Sequence, residues 1–395
     1  MNDIICKRII FVPLFLLILM TIATGCTSGK QKNDSLDDEV RKITINPNSR
    51  PEGKLTLSEI AESITYIPLE TNDQGLIATV SKCIISDNYI LLYCPIARRC
   101  YLFSRTGHFI TQIGNVGQGP SEYVMLSDLL QLNEQDNLIV IRNSDPHRLL
   151  YYDLTGRFIK SVSFDYDPSF MSYHNRFYLL KTLNLGQTLY SYKIWDEDFN
   201  LIVQKIKPIS FAMNPPNSIV ARGTPFCQYF FNNQVHVREN MLNDTLYRID
   251  DDFSFIPKYI INAGKHEITL EMRSNSAIFN REAQYCPTVT SIFETKNYLL
   301  LQYLISREYA VCYYHKKEDK LLYFLSTSGI PNDYDGGLDF WPQQMVSDKE
   351  MMCVYSAEQL LQLDKSKITD EKLKHVLNSI EMDSNPVIAI LTLKD

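Results

Sequence analysis

Three observations predict an all-β fold assembled from a repeated four-stranded unit. Tyr (24) and Phe (19) are abundant in the 395-residue chain and recur in short runs, as strands favour. A pattern of apolar strand, polar turn and second apolar strand returns at 101–110, 150–159, 192–202, 246–256 and 312–322. Taking Phe109, Phe158, Leu201, Phe255 and Leu321 as equivalent positions, successive copies lie 49, 43, 54 and 66 residues apart. A further strand pair precedes several copies, at 83–93, 129–141 and 291–301. This period fits a propeller blade with loop insertions, and the length accommodates six. The expected fold is a six-bladed β-propeller with a short helical insertion in the last blade.

Each element has a local reason. Asp, Thr-Gly or Lys-Glu-Asp occupies the turn of each copy, where tight hairpin geometry is tolerated. The sixth unit is discontinuous: 344–355 and 386–393 supply strands near the C-terminus, and Ile64–Leu69 is available to close the ring from the N-terminal side. Between those C-terminal strands, Ser356 with Gln359 resembles a capping box, and Leu360, Leu361, Leu363 then Leu373, Val376, Leu377, Ile380 follow helical spacing. Two short helices are expected there, either packed onto the blade or covering a pocket.

The N-terminus reads as a secretory leader. Lys7 and Arg8 precede an apolar run over Ile9–Thr21, too short to span a bilayer comfortably. Ala23-Thr24-Gly25-Cys26 then resembles a bacterial lipobox, which makes Cys26 the expected lipid attachment site and the membrane a partner through that lipid. The expected organisation is a leader over 1–25, lipidated Cys26 with a flexible tether over 26–54, and the propeller over 55–395. The expected address is the bacterial cell envelope, at the outer membrane, with either face open. Formal charge is −7 for the whole chain and becomes −8 without Asp3, Lys7 and Arg8; with no Lys/Arg cluster, nucleic acid is not an expected partner. Of nine cysteines, seven remain beyond Cys26, with no CxxC or zinc-type spacing. Cys94 and Cys100, flanking a turn, are the only pair the sequence suggests, and buried thiols are expected in preference to a disulfide framework.

Several motifs bear on chemistry. Gly114–Gly119 lacks the Gly-Lys-Ser/Thr ending of a phosphate loop and reads as a blade-to-blade turn. Asp333, Asp335 and Asp339 crowd oxygen donors into one loop that could hold Ca²⁺, but the spacing departs from an EF-hand and a turn is the favoured reading; no cofactor is expected. Tyr334 and Trp341 beside them are candidates for a ligand face. The seven histidines are scattered, and no HExxH or GxSxG occurs. Asp34-Ser35-Leu36 resembles an O-glycosylation acceptor, making Ser35 a candidate, with Asp244-Thr245-Leu246 a weaker match in an expected strand.

Over nearly all of its mature length the chain resembles the Bacteroidetes-type six-bladed β-propeller lipoproteins. The residues that carry the resemblance are Leu57–Glu70, Ile113–Tyr123 with its Gly-Gln-Gly-Pro-Ser-Glu-Tyr stretch, Asn332–Gly337 with Phe340–Pro342, and Asn385–Ile388. The resemblance implies a propeller and membrane attachment, and it transfers no catalytic residues. The leading functional expectation is a membrane-anchored binding or scaffold module for a protein or glycan ligand. The alternative is a propeller hydrolase or lyase acting on an extracytoplasmic substrate, glycans included, through carboxylates or a metal, with catalytic residues unassigned.

Overall fold

A computed structural model describes residues 40–394, apart from 164–169, 175–176, 183–185, 187–188, 208, 221, 223–225, 240–242 and 325–327. Cys26 and Ser35 lie outside the described residues. The folded unit runs from Glu39 onward.

Six antiparallel sheets form the blades. Blade 1 is Lys82–Ile85, Tyr89–Cys94, Arg99–Ser104 and Phe109–Ile113; blade 2 is Leu126–Asn133, Leu138–Ser144, His147–Tyr152 and Phe158–Ser163. Blade 3 is Phe170–His174, Phe177–Lys181, Tyr190–Asp196 and Leu201–Ile206; blade 4 is Phe226–Phe231, Gln234–Glu239, Thr245–Ile249 and Phe255–Asn262. Blade 5 is Thr288–Glu294, Tyr298–Ile305, Glu308–His315 and Lys320–Tyr323. Blade 6 is Gln344–Ser347, Glu350–Tyr355 and Val387–Leu393, completed on its outer edge by the N-terminal strand Ala61–Pro68. The first strand of every blade is innermost, and the expected closure from the N-terminal side is present: Tyr66 pairs with Ala389.

All five copies of the sequence pattern are the two outer strands of a blade. In four of them one turn recurs: Gly107, Phe199, Gly156 and Phe253 donate backbone N–H to the carbonyls of Ser104, Asp196, Asp153 and Asp250 respectively. Those four residues have left-handed backbones, at φ 91°, 63°, 80° and 64° in the same order. This is a three-residue hairpin loop closed by a bulge, and register shifts follow in the flanking strands. Glycine adopts this conformation freely, whereas phenylalanine does so at a cost. Aromatic packing offsets it: Phe199 stacks on Tyr178 at 5.0 Å, and Phe253 meets Phe177 edge-on at 5.5 Å.

Hydrophobic residues pack between blades. Leu102 and Ile139 join the cluster of blades 1 and 2, Leu179 and Val237 that of blades 3 and 4, and Leu301 and Tyr259 that of blades 4 and 5. Because strand residues alternate between faces, the hairpin of blade 1 sends Cys94 toward blade 6 and Cys100 toward blade 2. The suggested Cys94–Cys100 pair is therefore ruled out by the pleat, and all seven cysteines among the described residues are buried free thiols.

The folded body begins earlier than residue 55, where the sequence reading ended the tether. Arg41–Thr44 adds a fifth, parallel strand to the outer edge of blade 4, and Ile43 and Ile45 are buried. The chain then straps the rim of blade 5, where Glu52 and Gly53 donate to the Tyr323 carbonyl. Polar composition hid two isoleucines at strand spacing. The expected helices of the last blade are present at Ala357–Leu361, with the Ser356/Gln359 capping box formed, and at Glu371–Ser379. They pack on the outer part of blade 6 through Leu360, Leu373 and Leu377, away from the channel. Two more helices, Leu270–Ser274 and Ser276–Glu282, sit between blades 4 and 5 and account for the 66-residue step. Thr269 and Asn275 cap them, a signal that sequence reading passed over.

Candidate functional site

The inner strands leave a central channel of about 630 Å³. Lys82, Leu130, His174, Gln228, Phe293 and Gln344, one from each blade, contribute to its wall. Strand alternation selects these side chains, which is why no contiguous motif announces them. A second cavity of about 390 Å³ opens between blades 1 and 2 and shares Ser81, Lys82, Leu129 and Leu130 with the channel.

The polar part of the wall centres on Gln228. Its Oε1 accepts from Lys181 Nζ at 2.7 Å and from Ser172 Oγ at 2.9 Å. The amide nitrogen of Gln228 then lies 2.6 Å from His174 Nε2 and must donate to it, which places the imidazole proton on Nδ1. Burial, reinforced by the Lys181 and Lys82 ammonium groups, pushes His174 well below the usual imidazole range, so the ring is neutral at pH 7. Phe230 packs on that ring at 4.4 Å. The result is a row of mutually hydrogen-bonded polar side chains beside the Phe230 ring.

Behind the wall, Tyr229 joins a buried network between blades 4 and 5. Glu294 accepts from Tyr229 Oη at 2.7 Å, Tyr259 Oη at 2.8 Å and Lys316 Nζ at 2.6 Å. Burial works to raise the Glu294 carboxyl, but Lys316 and these hydrogen bonds outweigh it and hold it below the usual carboxylate range. His236 stacks on Tyr229 at 4.8 Å, and burial pushes it below its ordinary value, so Lys316 carries the balancing charge.

The acidic loop adopts the favoured turn. Asp335 is 2% exposed and accepts from Tyr66 Oη, Asn332 Nδ2 and the Gly337 amide. Asp333 accepts from the Ser58 amide and hydroxyl, and Asp339 from the Asn332 amide. The three carboxylates thus hold separate backbone segments, and among the described residues no group of three His, Cys, Asp or Glu is placed to hold an ion. Tyr334 and Trp341 do not form one face: the Tyr334 hydroxyl donates to the Glu62 carbonyl, while Trp341 packs edge-on against Phe293 and donates to Ser291. The Gly114–Gly119 stretch is a clamp between blades 1 and 2. Glu122 accepts from the Gly119 amide, and Arg148 donates to the Gly119 and Glu122 carbonyls.

Six short sheets around a common channel define a six-bladed β-propeller. A family described as a domain of unknown function, DUF4934, matches residues 40–392, and the chain belongs to that family. Among solved structures, a Bacteroides fragilis protein described as exported aligns at TM-score 0.67 and 16% identity, covering 90% of this chain and 100% of that one. A DUF4221 member from Bacteroides vulgatus aligns at TM-score 0.47 and 12% identity over 85% and 97% of the two chains. No curated protein matches.

Proposed function

We propose that the protein is a lipid-anchored component of the bacterial cell envelope whose propeller binds a ligand in its central channel. The observation that carries the binding reading is the channel itself, whose volume falls within the range of small-ligand sites and whose aromatic walls surround a few ordered polar groups. The leader and the lipobox at Cys26 support the address. A glycoside hydrolase of the usual kind would need a pair of carboxylates at this mouth, and among its described lining residues the ionisable groups are lysine, histidine, cysteine and tyrosine.

Two measurements test the proposal. Cys26→Ala is expected to move the protein from the membrane fraction to the soluble fraction and to abolish fatty-acid labelling; retention of both overturns the anchor. The detergent-extracted protein, screened against oligosaccharides and peptides, is expected to bind a ligand whose retention falls at least tenfold in Phe230→Ala. Binding indifferent to Phe230→Ala, or no binding across the panel, overturns the channel as the site.

A further inference from the structure

We propose that a third cavity, outside the channel, captures the free amino terminus of a peptide, with its ammonium held between Asp244 and Glu267 and its first peptide carbonyl on the Asn243 amide. The site stands apart from the channel, since the two cavities share no described lining residue.

This cavity of about 540 Å³ lies where the two outer strands of blade 4 meet the loop before helix Leu270–Ser274 and the start of blade 5. The side chains of Asp244 and Glu267 are hydrogen-bonded to each other in its wall. An ionised carboxylate cannot donate, so the pair holds one proton between its oxygens. Burial raises both carboxyls, and the Asp244 charge raises that of Glu267 further, while Arg238 lowers both. The pair is anchored: Glu267 Oε1 accepts from the Ala263 amide at 3.1 Å, and the Asp244 carbonyl accepts from the Ile261 amide at 2.8 Å. Asn243 is 8% exposed, and its Oδ1 accepts from the Thr245 amide at 3.2 Å, which turns the side chain back along Asp244. That bond commits the oxygen and leaves Nδ2 without a partner among the described residues, in the wall of the same cavity. Thr288, 4% exposed, lines the cavity from blade 5 with a hydroxyl that also has no partner. Polar groups buried in this way cost free energy until a ligand completes them.

The ligand follows from these groups. An ammonium donates to both carboxylates and expels the proton they share. The Asn243 Nδ2 then requires an acceptor close to that ammonium, which the carbonyl of an amino-terminal residue supplies and a simple alkylamine lacks. Ile45, Ile268 and Leu270 give the cavity an apolar part for the first side chain. A divalent ion fits poorly, because it seeks six or more oxygens, whereas Asn243 presents N–H and Arg238 adds positive charge.

The test titrates the detergent-extracted protein by calorimetry at pH 6, where an α-amino group with its usual value of about 8 is charged. The probes are the tripeptide Leu-Gly-Gly, its Nα-acetyl form and isoamylamine. The free tripeptide is expected to bind at least tenfold more tightly than either of the others. Comparing buffers of different ionisation heat should show release of about one proton per tripeptide bound. Glu267→Gln keeps a hydrogen bond to Asp244 but removes the second charge, and is expected to abolish both the preference and the proton release. Asn243→Asp keeps the acceptor for the Thr245 amide but replaces Nδ2 with oxygen, and is expected to weaken the tripeptide at least tenfold without weakening isoamylamine. Phe230→Ala, in the channel, should leave tripeptide binding unchanged. Equal affinity for free and acetylated tripeptide, no proton release, or no binding by any probe overturns the inference. Isoamylamine binding as tightly as the tripeptide overturns the peptide assignment, and calcium displacing the tripeptide from the parent but not binding Glu267→Gln replaces it with a metal site. Tripeptide binding lost in Phe230→Ala and kept in Glu267→Gln overturns this site while supporting the channel as a binding module.

Discussion

Replacing Glu294 tests how the blade 4–blade 5 interface is held together. Its side chain is 5% exposed and that of Lys316 15%, so neither charge is well solvated. Glu294→Gln keeps the shape but removes the charge opposing Lys316, and breaking a buried pair from one side costs about 3–5 kcal/mol. Leaving a tyrosine hydroxyl without its acceptor adds ~1–3 kcal/mol, an amount that overlaps with the first. The expected loss in urea denaturation at pH 7 is therefore about 4 kcal/mol. The pH dependence follows from the depressed carboxyl: its contribution is present above the unfolded-state value near ~4.3 and is lost as pH falls through the lower folded value. The gap between parent and Glu294→Gln should thus narrow on acidification. A Glu294→Leu/Lys316→Met double variant should lose less than Glu294→Leu alone. A Glu294→Gln protein within about 1 kcal/mol of the parent at pH 7, or a gap that widens in acid, refutes the reasoning.

Three other predictions address closure and the acidic loop. A chain starting at residue 47 loses the buried Ile43 and Ile45 and should be ~3–6 kcal/mol less stable, whereas one starting at residue 73 also lacks Ala61–Pro68 and should lose cooperative melting altogether. Gly336 has φ 83°, and a Cβ there would sit 2.2 Å from the Lys367 carbonyl oxygen, so Gly336→Ala should cost about 2 kcal/mol or more by urea titration. Melting in excess calcium and then in chelator should give the same midpoint, since the loop carboxylates already hold protein donors; a bound ion would add ~2.7 kcal/mol at a hundredfold excess over its dissociation constant.

The outer half of blades 1 to 5 was legible in the chain because its turn is written in local residues. Asp153 shows why: its carboxylate accepts from the Thr155 and Arg157 amides, so an Asp-x-Thr-Gly-Arg string encodes the hairpin without help from elsewhere. The inner pairs of blades 3 and 4 escaped notice, since Phe170–His174 and Phe226–Phe231 depend on neighbouring blades for burial. The channel was illegible for the same reason. Lys82, His174 and Gln228 sit on three different blades, and only strand register brings them together. Asp333, Asp335 and Asp339 are the opposite case, close in sequence yet each accepting from different donors.

The strand Ala61–Pro68 has a further consequence in the time domain. Its partner, Val387–Leu393, leaves the ribosome more than three hundred residues later. Joining the ends of a flexible chain of roughly 320 residues would carry an entropic cost of about 5 kcal/mol beyond the constant term, which blades formed in between reduce. During synthesis the first-made strand of the closing blade therefore stays unpaired while the intervening blades form. Final docking of the two chain ends should be the slow phase of refolding, and any partner that occupies the waiting strand would set the pace of maturation.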